Sequence, residues 1–195
     1  RTLLPVACQR RDAGQSAAYG DVQPALGKAC AEQNIKFSAR HSAESLNETG
    51  RSVVTCFLEN IDAGEKVLAV SQAFCVPVRA PDRSVIEEPM VGEFDLVVER
   101  EGRPVIVDFK TASRKWAEGH CHKSLQATVY SHAWRQMYGV SPEVEFRVVT
   151  KTAEPCYERH VTRRSAKQEL RLANLIARAR SITEYGLWYP AGEAG

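Results

Sequence analysis

No run of apolar residues in this 195-residue chain approaches the roughly 20 needed to cross a bilayer. The opening segment "RTLLPVACQRRDAG" is too short and too basic for a secretory signal. A cytoplasmic location is therefore the expectation, with no membrane partner. The chain begins at Arg1 rather than Met, and reads as a piece of something longer. A surplus of one charge is also missing. The net is +2, too weak for total charge to steer a polyanion, so nucleic-acid contact has to rest on local clusters. The six cysteines, Cys8, Cys30, Cys56, Cys75, Cys121 and Cys156, include no C-x-x-C pair. That argues against a zinc ribbon or an iron–sulfur cluster built from this chain, and for reduced thiols. In the run His120-Cys121-His122 adjacent side chains diverge, and no second cluster completes a tetrahedral site. Internal repeats and low-complexity tracts are absent too. What is present, 44% hydrophobic and 26% charged residues, suits one ordinary globular domain with a real core.

Along the chain, "GDVQPALGKACAEQ" carries a helix signal after Pro24. In "RHSAESLNETGRSVVTCFLENID" Ser42 is placed to cap a helix whose apolar stripe runs through Leu46, Val53, Val54, Phe57 and Leu58. Residues 1–60 thus read as a helical region packing on a core formed by residues 61–195. "KVLAVSQAFCVPV" reads as a strand, and "APDRSVIEEP" as a turn-rich link. "MVGEFDLVVER", the step "EG" and "RPVIVDFKT" read as a hairpin. "SLQATVYSHAWRQMYG" returns to helical spacing, with Gly139 as its stop, and "SPEVEFRVVTKT" alternates as a strand. The last helix, "TRRSAKQELRLANLIARAR", gathers Arg163, Arg164, Lys167, Arg171, Arg178 and Arg180 against Glu169. It suits either a solvated outer face or a phosphate-contacting one. This order predicts an α/β sandwich with a mixed central sheet.

Three charges stand where strand residues are normally apolar. Strand alternation puts Glu93, Asp95 and Val97 on one face, with Phe94, Leu96 and Val98 on the other; it likewise groups Ile106, Asp108 and Lys110. Two carboxylates and an ammonium can then converge. Hard oxygens of this kind suit Mg²⁺ or Mn²⁺, with the peptide oxygen of Phe109 available as a further ligand. The same spacing also suits a structural salt-bridge network, in which Asp95 and Asp108 pair with Lys110 and with arginines. "SRKW" follows directly, combining Arg114 and Lys115 with Trp116, a ring suited to stacking on a base.

"GEFDLVV", "VIVDFKT" and "LQATVYSHAW", in this order, resemble the consecutive motifs of the RecB-like branch of the PD-(D/E)XK nuclease superfamily: G-x-x-D, D-x-K and Q-x-x-x-Y. The resemblance covers residues 66–152. It implies a restriction-endonuclease-like fold, a mixed central sheet flanked by helices, and Mg²⁺- or Mn²⁺-dependent cleavage of DNA, at single strands or duplex ends. By that likeness Asp95 and Asp108 are metal ligands, Lys110 is the catalytic lysine, and Gln126 and Tyr130 support the site or touch the DNA backbone. Glu93 shares the face as a supporting group. Relatives commonly add a histidine from a G-x-x-x-H helix. Here Gly20 is followed by Pro24 at the matching step, and His41 is the nearest alternative ligand. The cysteines that close an iron–sulfur cluster in many relatives are not among these residues; either there is no cluster or they lie beyond Gly195, and none is expected from the residues present. The absent histidine motif keeps a rival open, a protein of the same fold that binds nucleic acid without cutting it. A structural subunit with ordinary ion pairs is a third.

Overall fold

Ser42 starts the first described helix by accepting the Ser45 backbone N–H at 3.2 Å, while the Ser45 hydroxyl accepts the Ser42 N–H at 2.9 Å. This reciprocal cap satisfies two N–H groups that a helix start leaves unpaired, and it fixes α1 at Ala43–Glu59. A computed structural model describes residues 42–186, apart from positions 63 and 83. His41, the helix signal after Pro24 and the tail lie outside the described residues.

Strands β1 (Lys66–Arg79), β2 (Val85–Arg100) and β3 (Arg103–Ala112) form an antiparallel meander. The β2–β3 step is Glu101-Gly102, with φ of 51° and 72°. Two positive φ values make the mirror-image turn whose twist suits a two-residue hairpin, and glycine adopts one of them without steric cost. Helix α2 (Leu125–Tyr138) carries the chain over to β4 (Glu143–Thr150), parallel to β3, since a parallel pair needs a crossover. β5 (Tyr157–Thr162) returns antiparallel to β4, and α3 (Ala166–Glu184) follows with a Ser165/Gln168 cap. The sheet order is β1-β2-β3-β4-β5. Phe94, Val97, Ile106, Phe146 and Val148 pack under Tyr130, Ala133 and Trp134 of α2. On the opposite face Leu96, Val98, Val105 and Val107 cluster, and α1 sets Phe57 edge-on against Phe109, with centroids 4.8 Å apart. The expected mixed sheet between helices is what forms. None of the described helices is long and apolar enough to cross a membrane.

Several sequence expectations need correcting. β5 is a strand that the expected order of elements lacks, and β2 begins at Val85 rather than within "MVGEF". Its early part passes Pro89 because the β1–β2 register shifts between Val76–Met90 and Val78–Ile86, a break that tolerates the missing N–H. α3 begins at Ala166, so Arg163 and Arg164 precede it. Arg163 pairs instead with Glu143, and Arg164 donates to the Cys121 and His122 carbonyls at 2.7 and 2.9 Å.

The alternation assigned to β2 also breaks. Phe94 lies in the cluster with Val97, while Leu96 and Val98 lie in the other. The cause is across the ladder. Ser71, between the pairs Val70–Leu96 and Gln72–Phe94, has φ 49°, a left-handed residue that upsets the pleat facing Asp95.

β4 differs in burial. Its polar positions Glu145 and Arg147 are 0% and 3% exposed. Glu145 accepts from Arg147 at 2.7 Å and from Arg159 at 2.9 Å, and pairs with Arg100 at 2.9 Å. Glu65 pairs with Arg147 at 2.5 Å and Arg100 at 3.0 Å. The rival to the cation site was an arginine network on Asp95 and Asp108; the arginine network that forms is instead centred on Glu145 and Glu65.

Gly92 is required by close approach. Phe74 stands opposite it in register, its ring against Phe94 at 4.7 Å, and a Cβ at position 92 would overlap that ring. Gly92→Ala is expected to lower the urea-unfolding free energy by about 1–3 kcal/mol, the usual cost of overpacking. An unchanged value would show that the ring moves aside freely.

Candidate active site

β2 and β3 are hydrogen-bonded from Arg100–Arg103 as far as Leu96–Val107. The next opposed positions in that register are Asp95 and Asp108, beyond the last paired residues. Asp95 Oδ2 accepts the Phe109 backbone N–H at 3.1 Å, so a carboxylate takes over from the ladder where the strands part. Asp108 is 1% exposed. Its Oδ1 receives Gln126 Nε2 at 2.8 Å and Tyr130 Oη at 3.0 Å, and Gln126 also donates to Tyr130 Oη at 2.7 Å. Residues one helical turn apart share a face, which is how α2 presents two donors to one oxygen.

The local sequence sets that turn in place. Ser124 accepts the Ala127 N–H at 3.2 Å and starts α2, whose Gln126 and Tyr130 reach Asp108 of β3. Arg164 holds the preceding 3₁₀ turn, His120–Lys123, through two of its carbonyls. Sequence reasoning missed Arg164 here, because its partners lie more than forty positions away and nothing local signals them.

Lys110 Nζ stands 2.5 Å from Asp108 Oδ2. The contact is an ion pair, and no directed hydrogen bond reaches that oxygen. Burial pushes the Asp108 carboxyl above its usual range; Lys110 and Tyr130 pull it back in part, and the Asp95 charge adds to the rise. Burial, and then the Asp108 charge, also push the Tyr130 phenol up, so it remains a donor at neutral pH. These are the electrostatics of a carboxylate short of positive charge.

Beside the carboxylates opens a cleft of about 270 Å³, with Glu93, Asp95, Gln126 and Tyr130 on its polar side and Phe74, Gly92 and Val129 among its other walls. Phe74 was missed as a cleft residue because its strand reads as uniformly apolar. The donor set fits a hard divalent cation: each aspartate commits one oxygen to a protein donor and keeps the other, and the buried Asp108 Oδ2 lacks a directed partner. Among the described residues no group of three or more His, Cys, Asp or Glu side chains could hold a metal. Any further ligands would be peptide oxygen, water or substrate.

Glu93 is exposed at the cleft, and Arg114 and Lys115 are exposed in the loop after β3. Trp116 is half-buried, its ring packed on His120, Phe146 and His160 at 4.4, 5.4 and 5.4 Å. His122 Nδ1 lies 2.9 Å from Thr162 Oγ1, so the His-Cys-His run serves packing and hydrogen bonding.

Comparison with known proteins bears on the same residues. Among curated proteins none matches. A solved structure described as a candidate exonuclease, from Eubacterium rectale, aligns over 97% of this chain and 70% of its own, with a TM-score of 0.52 and 10% identity. That likeness concerns the fold, which is restriction-endonuclease-like. A second, the crystal structure of SSO0001, covers 63% of this chain and 60% of its own with a TM-score of 0.43 and 10% identity, too distant to support an inference. The model of one family matches residues 10–187, a span that holds Asp95, Asp108, Lys110, Gln126 and Tyr130. On that match the chain belongs to the PD-(D/E)XK nuclease superfamily.

Proposed function

We propose that this nuclease is a Mg²⁺- or Mn²⁺-dependent deoxyribonuclease of the RecB-like kind, acting on single strands or duplex ends. The observation that supports it most is the meeting of Asp95 and Asp108 where β2 and β3 part, with Lys110 2.5 Å from the oxygen that lacks a directed partner. Asp95, Asp108 and the Phe109 peptide oxygen would hold the cation, which when bound supplies Lewis acidity toward a phosphoryl oxygen and a more acidic water. Gln126 and Tyr130 fix the Asp108 carboxylate so that it does not reorganise during the reaction. The Lys110 ammonium, 32% exposed and on a flexible stem, is free to leave Asp108 for an attacking water or a phosphate oxygen. Glu93 faces the cleft as a proton acceptor or a ligand through water. Arg114 and Lys115 take phosphates of the DNA backbone, with Trp116 holding their loop against Phe146.

Cleavage of end-labelled single strands, linear duplex and closed circles, with Mg²⁺, with Mn²⁺ and with a chelator, tests this reading. Metal-dependent loss of linear but not circular DNA is expected. Cutting of circles would replace end-processing with endonucleolytic action, and no cutting under any condition would refute the nuclease. The rival, binding without cutting, is favoured by one observation, the lack of a third ligating side chain among the described residues. It predicts salt-sensitive binding with intact substrate.

Tyr130 gives a finer check. Tyr130→Phe keeps the ring in its contact with Phe94 but removes the donor to Asp108. Loss of a hydrogen bond that orients a metal ligand typically costs about 10–100-fold in affinity or activity. That drop is expected in cleavage rate, with little change in thermal midpoint; a full wild-type rate would mean that Gln126 alone suffices.

A further inference from the structure

We propose that the groove between the early part of β2 and the C-terminal half of α3 is a docking surface for a second copy of this chain, which fills it with the outer stripe of its own α3. The groove encloses about 620 Å³ and is walled by aliphatic side chains, among them Ile86, Met90 and Val91 of β2, Leu125 of α2, and Leu172 and Ile176 of α3. Val91 and Leu125 are 69% and 52% exposed, more apolar surface in one place than a solvated cleft needs. The rim is acidic: Glu87, Glu88 and Glu184 gather around Arg180 at 3.6, 3.5 and 2.6 Å. Three carboxylates around one guanidinium leave a negative surplus. A DNA backbone is repelled by it, whereas a surface that is both cationic and apolar is drawn in.

The chain carries such a surface. Lys167, Arg171, Leu175, Arg178, Ile182 and Tyr185 recur at steps of three and four along α3, so they form one stripe. The stripe lies about a third of the helix circumference from the groove-facing Leu172, Ile176 and Thr183. All six stripe residues are exposed. Because α3 both borders the groove and bears the stripe, a two-fold axis beside it lets each copy enter the other's groove at once, and the contact closes as a dimer. Val91 and Val129 line both this groove and the catalytic cleft, so the second copy stands at the side of the cleft. The proposal rests on the groove and the stripe, and holds whether or not the chain cuts DNA.

Light scattering after gel filtration, and sedimentation across the micromolar range, read the outcome. The wild-type chain is expected at twice its 21.7 kDa. Leu175→Glu and Ile182→Glu are each expected to give monomers at concentrations where the wild type is dimeric. Both side chains are exposed, so circular dichroism should show the fold retained. Arg171→Glu with Arg178→Glu should also dissociate the dimer, and adding Glu87→Lys with Glu88→Lys should restore it. A wild-type monomer at every concentration overturns the proposal and leaves the groove to another protein or to the chain's own ends. A dimer indifferent to all of these changes overturns it as well.

Discussion

Lys110→Ala is expected to lower DNA cleavage at least about 10³-fold, close to 4 kcal/mol of transition-state stabilisation, while binding of Mn²⁺ survives. The expectation follows from where the ammonium sits. It is the cation that touches Asp108 Oδ2, yet its side chain is 32% exposed, so removal opens no cavity in the core. The ligand set loses nothing, because the two aspartates keep their own donors: Phe109 N–H for Asp95, and Gln126 with Tyr130 for Asp108. What disappears is the charge that can follow the reaction from water to phosphate. Lys110→Arg is not a rescue in this account, since a planar fork does not reproduce a compact ammonium. Single-turnover cleavage beside Mn²⁺ titration separates the two roles. Retained cleavage in Lys110→Ala would remove the lysine from the chemistry, and lost Mn²⁺ binding would make it part of the site's architecture instead.

Glu145→Gln should have the largest effect on stability, about 3–5 kcal/mol, the usual result of removing one partner from a buried ion pair. Glu145 is fully buried and holds Arg147, Arg159 and Arg100; without its charge the 3%-exposed Arg147 keeps Glu65 as its carboxylate. Burial alone would raise the Glu145 carboxyl, but hydrogen bonds and charge from Arg159, Arg147 and Arg100 outweigh it and hold the group below its usual range. The sign of the pH dependence follows. A depressed carboxylate contributes its stability above its unfolded pKa and loses it as pH falls through the folded value. The gap between wild type and variant should therefore be widest near neutrality and close in acid. Urea unfolding across that range checks it, and a gap that stays constant with pH would mean that lost packing rather than lost charge is responsible. This network lies on the sheet face away from α2, so chain that remains folded should still cut.

Much of the site is legible in the sequence, for specific reasons. Asp95 and Asp108 fall at opposed positions because a two-residue turn at Glu101-Gly102 fixes the register, and "EG" signals such a turn. Gln126 and Tyr130 fall together because a helix brings positions four apart onto one face. Ser42 capped its helix as its spacing implied. What stayed hidden depends on contacts distant in sequence. β5 carries Glu158, Arg159 and His160 in a row, a polar run with no strand signal of its own; its charges are taken up by Glu145 pairing with Arg159 and the Trp116 N–H donating to Glu158. The break in β2 alternation originates in Ser71 on another strand, and no pattern within β2 announces it. Nor can alternation say whether the polar face of a strand is wet; in β4 both faces are dry.

Calorimetric titration of Mn²⁺ into the wild-type chain and into the Asp95→Asn and Asp108→Asn variants tests the cation site most directly. Saturable binding in the wild type that disappears in both variants, with folding intact, is the expected result. Binding that persists undiminished when both aspartates are replaced would contradict it, and would send the search for the metal elsewhere in the chain.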